Sequence, residues 1–593
     1  MMEQSRREPL RRHIRERPDS NVHENETDWI IHPEPLQTGV LAREAGVSPL
    51  QARLLLHRGI TGADEARRFL TPRLAELRNP MSFKDMESAV ECVLRAARKR
   101  SPITVYGDYD ADGLTAAALL VRFFSELGLP SFAYIPDRFK EGYGLNSRAV
   151  TEIAKARGGL LITVDCGTGS GEEIDLARRC GLDVVITDHH RVPGDFDPLC
   201  PFLNPHRPDC AFPFHGLAGV GVAFFLAVAV RAALRDEGWF RSRPEPDLRD
   251  YLDLVALGTV ADMVPLLEEN RILVNAGLQA LRQSRWPGLI ALQEEAGVHP
   301  GLATTEDVAF RLAPRINASG RLGEAYIGLE ALITGQPGVA RKRAARLHAL
   351  NERRQTLEQD ILREIETSLP EPEDLGGRRT LVLQGRGWHQ GVLGIVASRL
   401  VARYHRPVLV LDVQDGIAAG SGRSIAGFDL HRALSDLKLR FKRFGGHRHA
   451  VGLSLETGHI DRLREDLESL AMERLTEADL RPVIEAEGEL PPCDLTRELL
   501  QEIEVIGPFG SGNPEPRFLA EDVEVLESQV VGEGHLKVRV AHEGRRLNGI
   551  GFHLGEWHPL GGHRIRAVYT PQINRWQGVE SLQLKIECLE RLE

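Results

Sequence analysis

Three aspartates stand at alternate positions in the segment ITVYGDYDADGLT (residues 103–115). Asp108, Asp110 and Asp112 follow an apolar, β-branched run that predicts a buried strand, and an apolar helical pattern begins at Leu114. Carboxylates this close together raise one another's pKa values, so a nearby cation is needed to keep them ionised. Oxygen ligands of this type are typical of Mg²⁺ or Mn²⁺ sites. The segment therefore predicts a divalent-metal site where a strand ends.

Two other interpretations of this acidic segment exist. An aspartate before a helix is favoured as an N-cap and by the helix dipole, which explains one or two of the three acids. The Asp-x-Asp-Gly sequence at residues 110–113 also resembles the haloacid-dehalogenase phosphatases, where the first aspartate is the nucleophile. That mechanism needs a later lysine and a further acidic pair, and it leaves the Asp-His-His sequence described next unexplained.

Acidic and imidazole side chains also follow the next predicted strands. LLITV (residues 160–164) ends at Asp165, and DVVIT (residues 183–187) ends at the sequence Asp-His-His (residues 188–190). Helical patterns alternate with these strands, which predicts a doubly wound parallel sheet in an α/β fold. Ligands bind at the carboxyl ends of strands in such sheets, so all of these side chains are expected to converge at one edge.

Together these segments resemble the DHH phosphoesterase superfamily. The resemblance implies two Mn²⁺ or Mg²⁺ ions and phosphodiester hydrolysis, with catalytic roles for Asp165, His189 and His190. Its last ligand falls in LVALGTVADMVPL (residues 254–266), whose aspartate could also be a helix C-terminal turn residue. His190 would contact the scissile phosphate or support the ligands, the alternative being a packed or solvated histidine. The implied ligands are Asp110, with Asp108, for one ion, Asp112, His189 and Asp262 for the other, and Asp165 as the bridge.

Within the superfamily, three segments are similar to the RecJ family of exonucleases. They are FRLAPRINASGRLG (residues 310–323), LNERRQ (residues 350–355) and GPFGSGNPEPRF (residues 507–518). The arginine side chain suits phosphate because its planar fork donates two hydrogen bonds at once. Without the resemblance, the first segment would be an ordinary loop with solvated arginines. With it, the expected substrate-binding residues are Arg315, Asn317 and Arg321.

A second α/β block begins near Thr380. Its segments GSGRS (residues 420–424) and FGGHRHAVGLS (residues 444–454) resemble the DHH-associated domain. Glycines there let backbone N–H groups approach a phosphate, and a histidine can donate to it. The expected substrate contacts are Ser421, Arg423, Gly445, Gly446 and His447.

Short alternating strands with turn signals fill the C-terminal region and predict a small barrel similar to an OB-fold. Exposed aromatic side chains on such a barrel stack on bases, contributing about 1–3 kcal/mol each. The candidates for stacking are Phe518 and Trp576, and Phe552 and Tyr569 are further candidates. At least half of these aromatic side chains are expected to be core.

The predicted domain order follows from these segments. Residues 1–45 are expected to form a disordered, charged arm. A long helix rich in arginine would connect two α/β domains and line a cleft for a polyanion, although such a charge run is usually a solvated face. The expected domains are the DHH catalytic domain with N-terminal helices (46–338), the connecting helix (339–370), the DHH-associated domain (376–480) and the OB-like domain (485–593).

The composition indicates the cellular compartment and limits how the chain could bind nucleic acid. The seven cysteines form no CxxC pair, which indicates reduced thiols in the cytoplasm and argues against a cysteine-based zinc site. No apolar run reaches the length of a membrane span. The formal net charge of −11 means that nucleic-acid binding must come from a local basic surface.

The resemblance implies digestion of single-stranded DNA from the 5′ end to mononucleotides, in DNA repair and recombination. It also implies a single-strand-binding protein and a helicase as partners, and a monomer is expected. Two alternatives remain. A hydrolase of small phosphoesters, such as short oligonucleotides or nucleoside bisphosphates, would need neither the basic helix nor the barrel. A non-catalytic single-strand-binding replication factor would not need the intact ligand set.

Overall fold

The computed structural model describes residues 27–194, 196–371, 375–437, 439–576 and 579–592. These residues form two compact units. The parallel-sheet unit contains Arg68–Asp360 and Gly507–Pro514. The barrel unit contains the described residues of Met1–Arg67, Ile361–Ile506 and Glu515–Glu593. In the described part of the chain, no helix is both long enough and apolar enough to cross a membrane.

The N-terminal region is ordered earlier than predicted. It contains β1 (Asp28–Ile31), α1 (Thr38–Ala45), α2 (Pro49–His57) and α3 (Ala63–Leu70). The prediction of a disordered arm over residues 1–45 is wrong for residues 28–45, and residues 1–26 lie outside the described residues. β1 was missed because it is only four residues long and pairs with Val483–Ala486, far along the chain.

The first two helices pack within the barrel unit, whereas the sequence assigned the region from residue 46 to the catalytic domain. The Gln51 side chain donates to the Glu502 carbonyl (3.1 Å), and the partly buried Glu487 carboxylate accepts from both His57 and Arg58. These hydrogen bonds join residues more than 400 positions apart, so local sequence patterns could not predict them.

The parallel-sheet unit is built on a five-stranded sheet. Its elements are α4 (Met86–Lys99), β2 (Ile103–Gly107), α5 (Ala111–Glu126), β3 (Ser131–Tyr134), α6 (Ser147–Ala156), β4 (Leu160–Val164), α7 (Gly171–Arg179), β5 (Asp183–Thr187) and β6 (Phe202–Leu203). All neighbouring strands are parallel, in the order β3-β2-β4-β5-β6. The predicted parallel α/β sheet is confirmed. The strand order reverses beside β2, which is where such sheets bind ligands.

Helices complete this unit. They are α8 (Gly219–Asp236), α9 (Leu252–Ala261), α10 (Glu268–Arg282), α11 (Pro287–Glu295), α12 (Thr305–Asp307), α13 (Ala313–Arg321) and α14 (Ala325–Ile333), followed by α15 (Pro337–Glu366). The apolar helix α5 packs against α8 and α9 in the core. The long helix α15 is present as predicted, but several of its arginines are paired with acids. These pairs are Arg343–Glu330, Arg346–Glu324 and Arg354–Glu358.

The barrel unit contains a second sheet of mixed direction. Its elements are β7 (Leu381–Gly385), α16 (Gln390–Tyr404), β8 (Val408–Gln414), β9 (Ile417–Arg423), α17 (Leu430–Asp436), β10 (Arg443–His447), β11 (Ala450–Glu456) and α18 (Ile460–Arg474). The strand order is β10-β11-β9-β8-β7, with only β7 and β8 parallel.

The barrel itself has five strands and is closed, as the OB-like prediction requires. The C-terminal elements are β12 (Val483–Ala486), α19 (Arg497–Glu504), β13 (Phe518–Val531), β14 (His535–His542), β15 (Arg545–Gly551), β16 (Arg564–Trp576) and β17 (Val579–Leu592). The barrel order is β13-β14-β15-β17-β16, and β12 pairs with β1 outside it. Closure removes the exposed sheet edges that five short strands would otherwise leave.

Candidate metal centre

The acidic loop after β2 is held by its own backbone. Asp110 is the N-cap of α5, and its Oδ1 accepts from the backbone N–H groups of Asp112 (3.0 Å) and Gly113 (3.1 Å). The N-cap interpretation therefore describes Asp110 but leaves the other two aspartates unexplained. Asp108 is 5 % exposed, and its Oδ1 has no hydrogen-bond partner among the described residues.

The N-terminus of α8 positions two further acids. Asp112 accepts from the backbone N–H groups of Gly219 (2.6 Å) and Val220 (2.8 Å), where the helix dipole favours negative charge. Gly219 also lies directly against the next strand end, because a Cβ at this position would be 2.6 Å from the Asp165 Cβ. The approach of α8 to the sheet thus depends on a residue without a side chain.

Asp165 lies at the centre of the group, directly after β4. Its backbone is in the left-handed region, with φ +58°. Its Oδ1 is 3.0 Å from His189 Nε2 and 3.9 Å from His190 Nδ1. His189 Nε2 is also 3.8 Å from Asp112 Oδ2 and 3.6 Å from Asp262 Oδ2. Acids from three separate segments therefore meet around one imidazole from a fourth.

These side chains form overlapping sets of possible ligands. Within each set, one ligand atom from every residue lies within 4.8 Å of the others. Asp165 belongs to two of the sets and contacts His189 of the third. The sets are Asp108, Asp110 and Asp165; Asp112, His189 and Asp262; and Asp165, His189 and His190.

The donor atoms fit divalent cations. In the described structure, Asp108 Oδ1, Asp165 Oδ1 and His189 Nε2 are buried and form no hydrogen bond, although the last two atoms face each other at 3.0 Å. Buried polar atoms are normally partnered, so this group of unpartnered atoms points to a bound group. Carboxylate oxygen suits Mg²⁺ and Mn²⁺, and imidazole completes a site for a transition metal.

The electrostatics lead to the same conclusion. Burial, with the charge of Asp110, raises the pKa of Asp112 to about 7. Burial, with the charge of Asp112, raises the pKa of Asp262 to about 9. Burial and neighbouring acids also hold the pKa values of Asp108 and Asp165 well above the usual range. Asp262 caps the C-terminus of α9, where the helix dipole disfavours negative charge. A cation would relieve all of this repulsion.

Asp188 gives the two histidines opposite characters. It accepts hydrogen bonds from the Thr168 and His189 backbone N–H groups (2.8 and 2.7 Å) and from His190 Nδ1 (2.7 Å). Burial alone would lower the pKa of His190, but this hydrogen bond and the charge of Asp188 raise it to about 9. Burial lowers the pKa of His189 to about 4. The surroundings therefore favour the neutral form of His189, which is the form that binds a metal, and the charged form of His190, which can donate to an anion.

Sequence reasoning placed Asp188 at a strand end but gave it no role of its own, because that role depends on hydrogen bonds made by the folded loop. It also missed Arg138, which lies in a loop after β3 and contacts the Tyr109 ring. A small cavity of about 180 Å³ adjoins the acidic loop and carries this arginine on its wall. Its lining residues are Asp108, Tyr109, Asp110, Arg138, Asn317 and Arg321.

The structure separates the three residues predicted from the segment at 310–323. Asn317 and Arg321 line the cavity beside the acidic loop. Arg315 instead contacts His348 of α15 (Nη2 to Nδ1, 3.1 Å) and donates to the Arg311 carbonyl (2.6 Å). Its guanidinium is thus committed to holding α13 on the long helix.

Replacing Asn317 with alanine is expected to lower metal-dependent turnover about 10- to 100-fold, the usual cost of losing a group that orients ligands. The Asn317 Oδ1 accepts from the Ala111 backbone N–H (2.8 Å), so the loss leaves that buried donor unpaired and loosens the acidic loop. Steady-state assays over a Mn²⁺ titration will measure the effect. Asn79→Ala is the control, because Asn79 makes the same type of bond to Met81 (3.0 Å) at a short 3₁₀ turn. Equal losses in both variants would contradict a role for Asn317 at the centre.

The residues predicted from the DHH-associated motifs lie on β9 and β10, the two strands that flank β11 in the mixed sheet. Opposite β11, Ser421 and Gly445 pair with the same residue, Gly452, and Arg423 and His447 pair with Ala450. Residues paired across strands point to the same face, so the serine, the arginine and the histidine share one surface. Gly445, Gly446 and His447 are exposed there.

The stacking prediction is wrong for Phe518. Its side chain is 0 % exposed in the barrel unit, with the Arg53 guanidinium 5.7 Å from the ring centroid. Tyr569 is likewise buried, and its hydroxyl donates to the Leu490 carbonyl (2.7 Å). Both rings are thus buried against segments outside the barrel strands, contacts that the strand pattern alone could not predict. Phe552 is 51 % exposed, and the side chain of Trp576 lies outside the described residues.

Comparison with known families matches three regions of the chain. Residues 102–259 match the N-terminal domain of the DHH family, residues 377–473 the DHHA1 domain, and residues 486–588 the RecJ OB domain. The first match contains all of the acidic and histidine residues of the candidate metal centre except Asp262, which lies three residues beyond it.

Curated relatives are similar over nearly the whole chain. A single-stranded-DNA-specific exonuclease RecJ of Escherichia coli is 39 % identical, covering 92 % of this chain and 96 % of its own length. The Bacillus subtilis protein of the same name is 37 % identical over 94 % of this chain and 70 % of its own length. A crystal structure of RecJ in complex with Mn²⁺ from Thermus thermophilus superposes with a TM-score of 0.80 at 31 % identity, covering 96 % of this chain and 80 % of that one.

Proposed function

Because the chain belongs to the RecJ family of single-stranded-DNA-specific exonucleases, we propose that it hydrolyses single-stranded DNA from the 5′ end and releases mononucleotides. The observation that carries the chemistry is the pair of ligand sets centred on Asp165, with unpartnered buried atoms facing one another. The 5′ polarity rests wholly on the resemblance of the chain to this family.

In this proposal the side chains of the centre hold two Mn²⁺ or Mg²⁺ ions. Bound there, such ions lower the pKa of a water and stabilise the attacking and leaving oxygens of a phosphodiester. Asp165 would be a ligand in both sites. One site takes Asp108, Asp110 and Asp165, and the other takes Asp112, Asp165, His189 and Asp262.

The remaining groups orient the substrate. His190, kept protonated by Asp188, donates to a phosphate oxygen. Arg138 and Arg321, on the wall of the small cavity, add positive charge beside the acidic loop. On the mixed sheet, the substrate contacts are Ser421, Arg423, Gly445, Gly446 and His447.

End-labelled single strands provide the test. With Mn²⁺ or Mg²⁺ present, a 5′-labelled strand is expected to release its label as a mononucleotide in the first turnover, while a 3′-labelled strand gives a ladder of shortening products. Chelation of the metal should stop both reactions, and duplex DNA should be degraded far more slowly. Early release of the 3′ label would overturn the polarity, and equal rates on RNA would overturn the preference for DNA.

The two alternatives give different results in the same assay. A small-phosphoester hydrolase would cleave dinucleotides or nucleoside bisphosphates faster than long strands. A replication factor that only binds would retard labelled strands without shortening them in any metal. The intact ligand sets favour a catalytic protein over the second of these.

The same proposal extends to the cellular setting. We place the enzyme in DNA repair and recombination in the cytoplasm, acting as a monomer with a single-strand-binding protein and a helicase as partners. Seven cysteines without a disulfide among the described residues agree with a reducing compartment. Light scattering of the purified chain and co-sedimentation with each partner test these assignments.

A further inference from the structure

A second group of metal-ligand side chains lies in the barrel unit, on segments that the proposed exonuclease activity does not use. Cys493 is in a short 3₁₀ turn (Pro492–Asp494), and His542 and Glu543 lie where β14 turns into β15. A ligand atom from each of these three side chains lies within 4.8 Å of the other two.

The distances agree with a shared ion. Cys493 Sγ is 3.5 Å from Glu543 Oε2 and 3.8 Å from Asp494 Oδ1. A thiolate and a carboxylate bound to one tetrahedral zinc ion are about 3.5 Å apart, given the usual bond lengths. A thiol has a single hydrogen, so it can donate to only one of these carboxylates at a time.

His542 supplies an independent sign of a ligand. Its Nδ1 atom is buried, and it has no hydrogen-bond partner within the described chain. Leaving a buried nitrogen unpaired costs free energy, which a bound cation would recover.

The local backbone fixes the geometry. Glu543 and Gly544 both have positive φ (+47° and +81°) and form the two-residue turn between His542 and Arg545, which pair across the hairpin. The Arg545 guanidinium donates to the Cys493 carbonyl (2.8 Å), which holds the 3₁₀ turn against this hairpin. The ligand atoms are therefore brought together by structure that does not depend on the ion.

We propose that Cys493, His542 and Glu543, with Asp494 as a fourth ligand, bind one Zn²⁺ ion that fastens the 3₁₀ turn to the barrel. Thiolate and imidazole donors select zinc over the magnesium and manganese suited to carboxylate sites. On binding, the thiol releases its proton to solvent and the sulfur bonds to the metal. This site is independent of the proposed exonuclease centre, because it shares no residue with it.

Cobalt binding to the full-length protein tests the site. Co²⁺ is added with Mg²⁺ in large excess, so that the oxygen-rich centre is occupied by magnesium. We expect one equivalent of Co²⁺ to give a thiolate-to-cobalt charge-transfer band, and an equivalent of Zn²⁺ to displace it. Cys493→Ser should abolish the band, whereas Cys180→Ser, at an exposed cysteine, should retain it in full.

Thermal unfolding gives a second readout. With the same excess of Mg²⁺, Zn²⁺ should raise the Tm of the wild-type protein in a concentration-dependent manner and raise that of Cys493→Ser by less. Glu543→Gln keeps the thiol, so it should retain the band but bind Co²⁺ at least tenfold more weakly. This variant replaces Cys493→Ser in the test if the serine variant does not fold. The absence of a band in the wild type, or a band unaffected by Cys493→Ser or Glu543→Gln, would overturn the proposal.

Discussion

Replacing Asp165 with asparagine is expected to lower single-strand cleavage at least about 1000-fold while the protein remains folded. Asp165 is shared by the ligand sets, so its charge acts on both proposed ions. A metal-centred stabilisation of the transition state amounts to several kcal/mol, and each 1.36 kcal/mol is tenfold in rate. Asparagine tolerates the left-handed backbone at φ +58°, so this substitution isolates the charge, whereas alanine would add strain.

Single-turnover cleavage and strand binding, measured side by side, check this prediction. Cleavage should be lost while strand binding stays measurable. Asp415→Asn is the matched control, because Asp415 is an exposed aspartate that also has a positive φ (+50°), in the turn between β8 and β9. Normal turnover by Asp165→Asn would remove the basis for the metal centre.

Replacing Gly219 with alanine (Gly219→Ala) is expected to lower turnover at least about 100-fold. Its Cβ would lie 2.6 Å from the Asp165 Cβ and 2.9 Å from the Asp165 Cα, so either α8 or the end of β4 must move. The same movement would disturb the hydrogen bond from the Gly219 N–H to Asp112. Misplacing catalytic groups by about 1 Å costs about 100-fold in rate, which sets the scale of the effect.

The comparison for this variant is Gly171→Ala. Gly171 is the first residue of α7, and a Cβ there would meet no atom within 4 Å. It should keep full activity and unfold at the same or a slightly higher temperature, since alanine is the better helix former. Turnover in Mn²⁺ and thermal unfolding are measured for both variants. If Gly219→Ala retains turnover, the close approach of α8 does not set the positions of the acids.

The strand ends could be predicted because their signal is local. Each of β2, β4 and β5 is an apolar run that stops at a charged or imidazole side chain, and parallel topology then requires these ends to meet. The sequence does not show which backbone N–H groups donate hydrogen bonds to the acidic side chains. The hydrogen bonds from α8 to Asp112 join residues 107 and 108 positions apart.

The burial of individual side chains was the other property that local sequence patterns could not predict. Phe518 is the first residue of β13, in a region of alternating residues, and its ring is buried beside Arg53, a residue 465 positions earlier in the chain. The absence of CxxC pairs argued against cysteine-based zinc, yet a ligand group can also form when a turn and a hairpin distant in sequence meet. Cys493 and His542 are such a pair. Spacing rules detect only sites whose ligands are close along the chain.

The pairing of the N-terminal region with the far end of the barrel unit has a consequence for synthesis on the ribosome. His57 and its partner Glu487 are 430 residues apart, so at about 5–20 residues per second roughly 20 to 90 seconds pass between their appearance. During that interval β1 lacks its partner strand β12, and α2 lacks the hydrogen bonds that its residues make to Glu487 and Glu502. The barrel unit is therefore completed only after residues 483–592 have been synthesised, although its first strand and helices are made at the start of the chain.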